Sequence, residues 1–298
     1  MATPRVYLTG RICFEHGDIL VEERDLAGRQ GRLAFAFLTS ERHRPVSKDE
    51  LIGVVWPDAT PRELEVSLSA ILSKLRAALK RVGLGTGAAV EVLSGTVQMR
   101  LPSDVWIDLE HAANAVDEAE GALRNGEAPR AWSHAAALVS IGRRPFLAGE
   151  EAVWIEARRV KLRSLLVRGL HILSKISAAN GEPGLAVQYA TEIIELEPFQ
   201  ETGYRHLMQT HAQMGNRGEA LRVFGKCREL GALSAVGALG ARGALGARGA
   251  VGARGAVGAR GAVGAIGARK RRATAVFNRR PGLATRLSPD DFRLAPSD

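Results

Sequence analysis

A helical stripe of leucines constrains the fold of this chain more than any other feature. Between residues 61 and 82 the apolar side chains recur at helical spacing on one face: Leu64, Leu68, Ile71, Leu72, Leu75, Leu79 and Val82. The opposite face carries small and basic residues: Ser69, Ala70, Ser73, Arg76, Ala77 and Lys80. This pattern predicts a long amphipathic helix that buries one side. Thr60 and Pro61 predict its capped start, and Gly83 its end.

Shorter elements surround the striped helix in a definite order. Residues 5–26 alternate apolar and polar stretches, which predicts three or four short antiparallel strands. Two helices, over 29–41 and 48–56, then precede the stripe. Residues 89–101 follow it and predict a hairpin.

Turn and cap residues support these boundaries. Ser47 is a good N-cap for the second helix, and Glu50 stands where a capping box needs it. Ser94-Gly95 is a two-residue hairpin turn. By itself, the striped helix would fit a simple amphipathic helix with a solvated face. The order of strands, three helices and hairpin instead favours a winged helix-turn-helix over residues 1–104, which would place the third helix in the major groove of DNA.

From Trp106 onward the pattern is helical, so the fold class is mainly α. Helices are predicted over 107–124, 128–141, 152–179, 184–196, 199–214 and 217–229. Gly181 and Gly215 are 34 residues apart, the period of tetratricopeptide repeats, and Ala186 and Ala220 match at that spacing. Residues 105–230 are therefore predicted to form a tetratricopeptide-like helical domain.

The last segment, residues 231–298, differs in composition. A six-residue unit, Gly-Ala-Leu/Val-Gly-Ala-Arg, recurs over 237–260. The segment holds twelve basic and three acidic residues, which accounts for the whole net charge of +9. So much glycine opposes helix and strand alike, and we predict disorder. The high isoelectric point therefore says nothing about the folded part. Whether this tail is genuine or the product of a shifted reading frame stays open.

Several motifs in order resemble the SARP (antibiotic regulatory protein) type of bacterial activator. They include Val6-Tyr7-Leu8, the stretch from Val46 to Leu51, Ser73-Lys74-Leu75-Arg76, Arg144-Pro145-Phe146-Leu147 and Gly218-Glu219-Ala220-Leu221. The resemblance covers about residues 5–230. It implies an OmpR-type winged helix joined to a bacterial transcriptional activation domain. It also implies a dimer on direct repeats of double-stranded promoter DNA, activation of a secondary-metabolite gene cluster, and recruitment of RNA polymerase.

Eight residues are the predicted DNA contacts. By position in the family motif, Ser73, Lys74 and Arg76 face the DNA; the small, polar face adds Ser69 as a base-reading residue. Lys80 is predicted to hold phosphate, as are Arg29, Arg32 and Arg100, because first-helix starts and wings flank the groove. The family often has a basic residue at the position of Ser69, and a tyrosine near that of Met99, so specificity here is predicted to differ.

Other residues that could carry chemistry are given structural roles. Trp132 and Trp154 are predicted core anchors, and His206 and His211 exposed polar positions. Asp108 and Glu110 have no evident partner and are predicted to favour a helix N-terminus. We find no nucleophile–base arrangement, phosphate-binding loop, metal set or cofactor motif, and we expect no enzyme activity.

The cellular setting and two rival functions complete the predictions. Cys13 and Cys227 form no CxxC motif, and neither a signal peptide nor a membrane span is apparent, so we expect a cytoplasmic protein. One rival is a helical-repeat adaptor for proteins with a degenerate DNA-binding domain. The other is a chain whose basic tail alone binds nucleic acid without sequence preference.

Overall fold

The computed structural model describes residues 3–57, 64–83 and 89–231. The predicted start of the striped helix at Thr60 and Pro61 and the repetitive tail lie outside these residues. The chain divides into two compact units, Met1–Ile172 and Leu173–Asp298. The domain boundary predicted at residue 104 falls inside the first unit and stays a prediction.

The first unit holds two small sheets and the first helices. Its elements are β1 (Arg5–Tyr7), β2 (Cys13–His16), β3 (Ile19–Glu22), α1 (Gly28–Ser40), β4 (Val46–Ser47), α2 (Lys48–Val55), α3 (Glu65–Arg81), β5 (Val90–Leu93), β6 (Thr96–Met99), β7 (Trp106–Ile107), α4 (Asp108–Arg124), α5 (Ala128–Gly142) and most of α6 (Val153–Ala179). The second unit holds the end of α6, α7 (Pro183–Leu196), α8 (Glu201–Gln213) and a helix over 217–231, here called α9.

The N-terminal sheet confirms the predicted antiparallel strands and adds one. β1, β2 and β3 pair antiparallel, and β7 joins in parallel with β1, giving the order β3-β2-β1-β7. The sequence analysis did not predict β7 because its two residues show no alternation. The strand matters because it brings the chain back beside β1 just before α4.

The second sheet contains the predicted hairpin. β5 and β6 pair antiparallel, and β4 adds to β6, giving the order β4-β6-β5. The turn residues Ser94 and Gly95 both have positive φ, 45° and 83°. This is the conformation that a two-residue type I′ turn requires, and glycine adopts it without a steric penalty.

The three-helix core forms as the leucine stripe predicts. All stripe residues of α3 are buried except Leu64, which packs against the core from a half-buried position. Phe35 of α1 lies beside Phe14 of β2, with ring centroids 5.2 Å apart. Ser47 caps α2 by accepting the Glu50 N–H at 3.0 Å. The reciprocal half of the capping box is not formed, because the Glu50 carboxylate accepts from Arg44 instead.

The helices after β7 pack closely. Gly142 and Gly169 lie where α5 meets α6. A Cβ at Gly142 would lie 3.0 Å from the Leu166 side chain, and one at Gly169 would lie 2.9 Å from that of Leu138. A Cβ at either position would crowd a leucine side chain, so glycine lets α5 and α6 approach closely.

The second unit confirms the repeat-like helix pairs. Gly181 and Gly215 both follow a helix with positive φ, 76° and 75°. Ala186 and Ala220 are both buried. All six predicted helices after Trp106 are present, with ends that differ from the prediction by one or two residues. The mainly α fold class with an N-terminal winged helix is confirmed.

Candidate nucleic-acid interface

The outer face of α3 has the character predicted for a groove-facing helix. Ser69, Ala70, Ser73, Lys74 and Ala77 are exposed, as is Lys80 one turn later. Small side chains predominate along the face, so the helix backbone can approach another surface closely. Glu65 is the acidic residue of the first turn, and Lys80 and Arg81 lie in the last, which matches the helix dipole.

Lys74 and Lys80 differ from most basic residues of the first unit. Among the described residues, neither pairs with a carboxylate, whereas many arginines of this unit form ion pairs. Arg81, their neighbour at the end of α3, lies 3.1 Å from Asp25. Two ammonium groups on an exposed helix face therefore have no counter-charge among the residues that the structure describes. This arrangement suits contact with phosphates.

Ser69 keeps its hydroxyl on its own helix. The Ser69 Oγ donates to the Glu65 carbonyl oxygen at 2.8 Å. Its side chain is exposed, and the remaining lone pairs of the hydroxyl can still accept. Ser73, one turn later, is exposed as well.

Arg76 lies closer to the hairpin than a base-reading side chain should. Its Nε donates to the Val90 carbonyl oxygen at 2.8 Å, and the residue is half-buried. Val90 begins β5, so this bond ties the middle of α3 to the hairpin. The structure therefore gives Arg76 a contact that positions the wing.

The three other predicted phosphate contacts form ion pairs. Arg100, on the hairpin side, lies 2.9 Å from Glu91, and its side chain is 59% exposed. Arg29 and Arg32, near the start of α1, both contact Glu150, at 2.7 and 2.6 Å. The structure thus places Arg29 and Arg32 with an internal carboxylate rather than free for phosphate.

Glu150 forms ion pairs with Arg29 and Arg32 that the sequence analysis did not predict. Its side chain is only 5% exposed. Burial raises the pKa of this carboxyl, but the hydrogen bonds and charges of Arg29 and Arg32 outweigh it and leave the pKa below its ordinary value. The carboxylate thus holds α1 to the segment before α6. No local pattern around Glu150 signals this role, because its partners are more than a hundred residues away.

Asp108 is the second missed residue, and it does have partners. The side chain is fully buried and accepts four hydrogen bonds, from Leu8 and Thr9 on one side and Leu109 on the other. Burial raises the pKa of this carboxyl more than these bonds lower it. The predicted role at a helix N-terminus is correct in position, but the prediction of no partner is wrong. Glu110 likewise has partners, Arg42 and His43.

Three smaller predictions are corrected. Trp132 is 45% exposed and is no core anchor, whereas Trp154 packs edge-on against Phe37 with centroids 5.2 Å apart. His206 and His211 are half-buried rather than exposed. Burial lowers the pKa of His206, with a smaller effect from Lys175. Each error has one cause: residue type alone does not say which side of a helix faces the core.

No helix in the described ranges is long and apolar enough to cross a membrane. No group of histidine, cysteine and acidic residues there is arranged to hold a metal ion.

Residues 107–233 match the bacterial transcriptional activator domain family. A solved structure, Mycobacterium tuberculosis EmbR in complex with a low-affinity phosphopeptide, matches with a TM-score of 0.67 at 18% identity. That match covers 77% of this chain and 60% of the EmbR chain, and it shows a shared fold. No curated protein sequence matches the chain. Residues 107–233 therefore carry a bacterial transcriptional activator domain, and the elements before it form a winged helix.

Proposed function

We propose that this chain is a SARP-type transcriptional activator that binds promoter DNA sequence-specifically through the exposed face of α3. Residues 1–104 are the DNA-binding part, and residues 105–230 the part that contacts the transcription machinery. The observation that carries the proposal is the pair Lys74 and Lys80. They stand exposed beside Ser69 and Ser73 without a carboxylate partner among the described residues.

The face fits a major groove in both size and charge. An α-helix enters a groove about 12 Å wide only if its outer side chains permit a close approach. Small residues on α3 allow this, and the two lysines supply the charge that phosphates attract. Lys80 is assigned to phosphate, and Ser69, Ser73 and Lys74 to base edges. Arg100 borders the hairpin and is assigned to phosphate after exchange of its Glu91 partner, because such exposed pairs are weak.

Arg76, Arg29 and Arg32 receive different roles in this proposal. Arg76 positions the hairpin relative to α3, through Val90. Arg29 and Arg32 hold α1 to Glu150 and are assigned no phosphate contact. These three assignments revise the expectation from sequence, because each side chain already has an internal acceptor.

The finer biology is proposed from the resemblance to SARP-type activators. The chain acts in the cytoplasm as a dimer on direct repeats, recruits RNA polymerase and activates a secondary-metabolite gene cluster. The bacterial transcriptional activator domain over 107–233 supports contact with the transcription machinery.

The test is selection of duplexes from a random-sequence library by the full-length chain. We expect enrichment of one motif that recurs as a direct repeat. Ser73→Glu should weaken binding to the selected duplex at least about tenfold, because a carboxylate on this face opposes phosphate. Ser133→Glu is the matched control, since Ser133 is exposed on α5. The affinity of Ser133→Glu for the selected duplex should equal that of the unmodified chain.

Two results would contradict the proposal. Salt-dependent binding without any enriched motif would assign DNA binding to the basic tail. No binding to any duplex would leave the helical-repeat adaptor.

A further inference from the structure

A cavity of about 210 Å³ lies in the first unit between α1, α4 and α6. Apolar side chains form most of its wall: Leu8, Ile107, Leu109, Ala113, Leu162 and Leu165. All of its lining residues belong to the first unit. An apolar cavity of roughly 150 Å³ is large enough to take up benzene. This cavity therefore has room for a molecule of about nine non-hydrogen atoms.

Two hydroxyl groups line the cavity without a hydrogen-bond partner. Thr39 is fully buried, and its Oγ1 has no partner; the Oγ of Ser40 is buried and has none either. Both residues lie on α1. Elsewhere in this chain the helical hydroxyls of Ser69 and Thr191 donate to the carbonyl four residues earlier. Thr39 and Ser40 do not, so their hydroxyls are left to bond with whatever occupies the cavity.

Such orphaned hydroxyls are unusual in a packed interior. A buried polar group without a partner destabilises a protein. Native structures leave few such groups, so an adjacent pair that lines a cavity is available to a polar ligand there. The occupant must offer polar atoms to Thr39 and Ser40 and an apolar body to the leucines.

The rim of the cavity carries one excess positive charge. Glu110 is neutralised by Arg42 through two hydrogen bonds of 2.7 and 2.8 Å. Arg158 is paired with Glu41. Lys161 is exposed and pairs with no carboxylate in the part of the chain that the structure describes. An anion entering the cavity would therefore meet the Lys161 ammonium group, which no described carboxylate neutralises.

We propose that this cavity binds a small organic carboxylate with an apolar body. The body lies among the leucines, the hydroxyls of Thr39 and Ser40 donate to the carboxylate, and Lys161 supplies the opposite charge. A binding site of this kind, mostly apolar with a few convergent polar groups, is the usual form of a small-molecule pocket. The proposal does not rest on DNA binding.

The first measurement is calorimetric titration of the full-length chain with benzoate, hexanoate and octanoate. We expect at least one acid to bind with a Kd below about 1 mM. Benzamide keeps the size of benzoate without its charge and should bind more weakly. No saturable binding of any of the three acids at about 10 mM would overturn the proposal.

Variants then test the site. Ala113→Leu fills the cavity and should abolish binding of the acid. Thr39→Val keeps the shape of the side chain and should weaken binding about fivefold, because a buried hydrogen bond is lost. Thr191→Val is its matched control and should leave the affinity for the acid unchanged.

The charge is tested separately. Lys161→Gln should weaken the binding of benzoate about three- to fivefold and leave the binding of benzamide unchanged, as expected for an exposed ion pair. Lys226→Gln is the control, since Lys226 is exposed on α9. Undiminished binding of the acid by a folded Ala113→Leu or Thr39→Val variant would place the ligand elsewhere. A structure of the chain in benzoate that shows only water bonded to Thr39 and Ser40 would also overturn the proposal.

Discussion

Asp108 holds Thr9 by two hydrogen bonds to one carboxylate oxygen, from the Thr9 N–H and the Thr9 hydroxyl, each 2.8 Å long. The same oxygen accepts the Leu8 N–H at 2.9 Å. These residues are about a hundred positions apart. A single buried carboxylate at the start of α4 therefore binds the residues that follow β1. This fastens the N-terminal sheet to the helices that follow it.

Removal of this carboxylate should destabilise the first unit strongly. Asp108→Ala leaves the N–H groups of Leu8 and Thr9 buried without an acceptor, so the free energy of unfolding should fall by at least about 3 kcal/mol. Urea unfolding followed by circular dichroism measures it. Asp104→Ala is the control, because Asp104 is exposed, and it should stay within about 0.5 kcal/mol of the unmodified chain. Equal stability of the two variants would refute the role of Asp108.

Glu150 should make stability depend on pH on the acid side. Because Arg29 and Arg32 lower its pKa below the ordinary value of 4.5, the folded state binds this proton less readily than the unfolded chain. The contribution to stability is therefore full above about pH 4.5 and is lost as the pH falls through the lowered pKa. At about pH 7, Glu150→Gln should lower the free energy of unfolding by about 2 kcal/mol. This value is reduced because both arginines are partly exposed.

The measurement is a series of urea midpoints from about pH 7 to about pH 3. The difference in urea midpoint between Glu150→Gln and the unmodified chain should disappear at the lowest pH, since the native glutamate is then protonated. Glu151→Gln changes an exposed neighbour and should follow the unmodified chain throughout. A midpoint difference that stays constant over the pH series would contradict the ion-pair assignment.

The elements were predictable from sequence because their signals are local. The stripe of α3, the Ser94-Gly95 turn and the Ser47 cap each depend on residues within one or two helical turns, and the structure confirms all three. The candidate face of α3 followed from the same periodicity. The partners of Asp108 and Glu150 and the Val90 contact of Arg76 were not predicted, because the residues they bond to come from other segments of the chain. Nothing near Arg76 in the sequence indicates that the Val90 carbonyl lies beside it.

Arg76 should therefore act as a positioning residue. Arg76→Ala removes the bond to the Val90 carbonyl, so stability should fall by about 1–2 kcal/mol, and amide exchange in the hairpin should accelerate. Affinity should fall by the same factor on selected and scrambled duplexes, because a displaced hairpin loses phosphate contacts rather than base contacts. Arg163→Ala, an exposed arginine of α6, is the control.

A different outcome would restore base reading to Arg76. In that case binding to the selected duplex falls alone, sequence preference relaxes, and hairpin exchange is unchanged. Measurement of both duplexes by fluorescence anisotropy, together with hydrogen exchange, separates the two roles.

Lys74 and Lys80 should differ in what they contribute to DNA binding. Lys80→Ala removes a phosphate contact, so it should weaken all duplexes about equally and reduce the slope of log affinity against log salt by about one. Lys74→Ala removes a base contact and should cost about 1–3 kcal/mol on the selected duplex, with a smaller loss on scrambled DNA. Anisotropy titrations across salt concentrations measure both effects. Lys226→Ala removes the same charge from exposed α9 and should leave affinity and slope unchanged. If all three variants lose affinity equally on every duplex, the lysines of α3 act only through net charge, and α3 is not the reading helix.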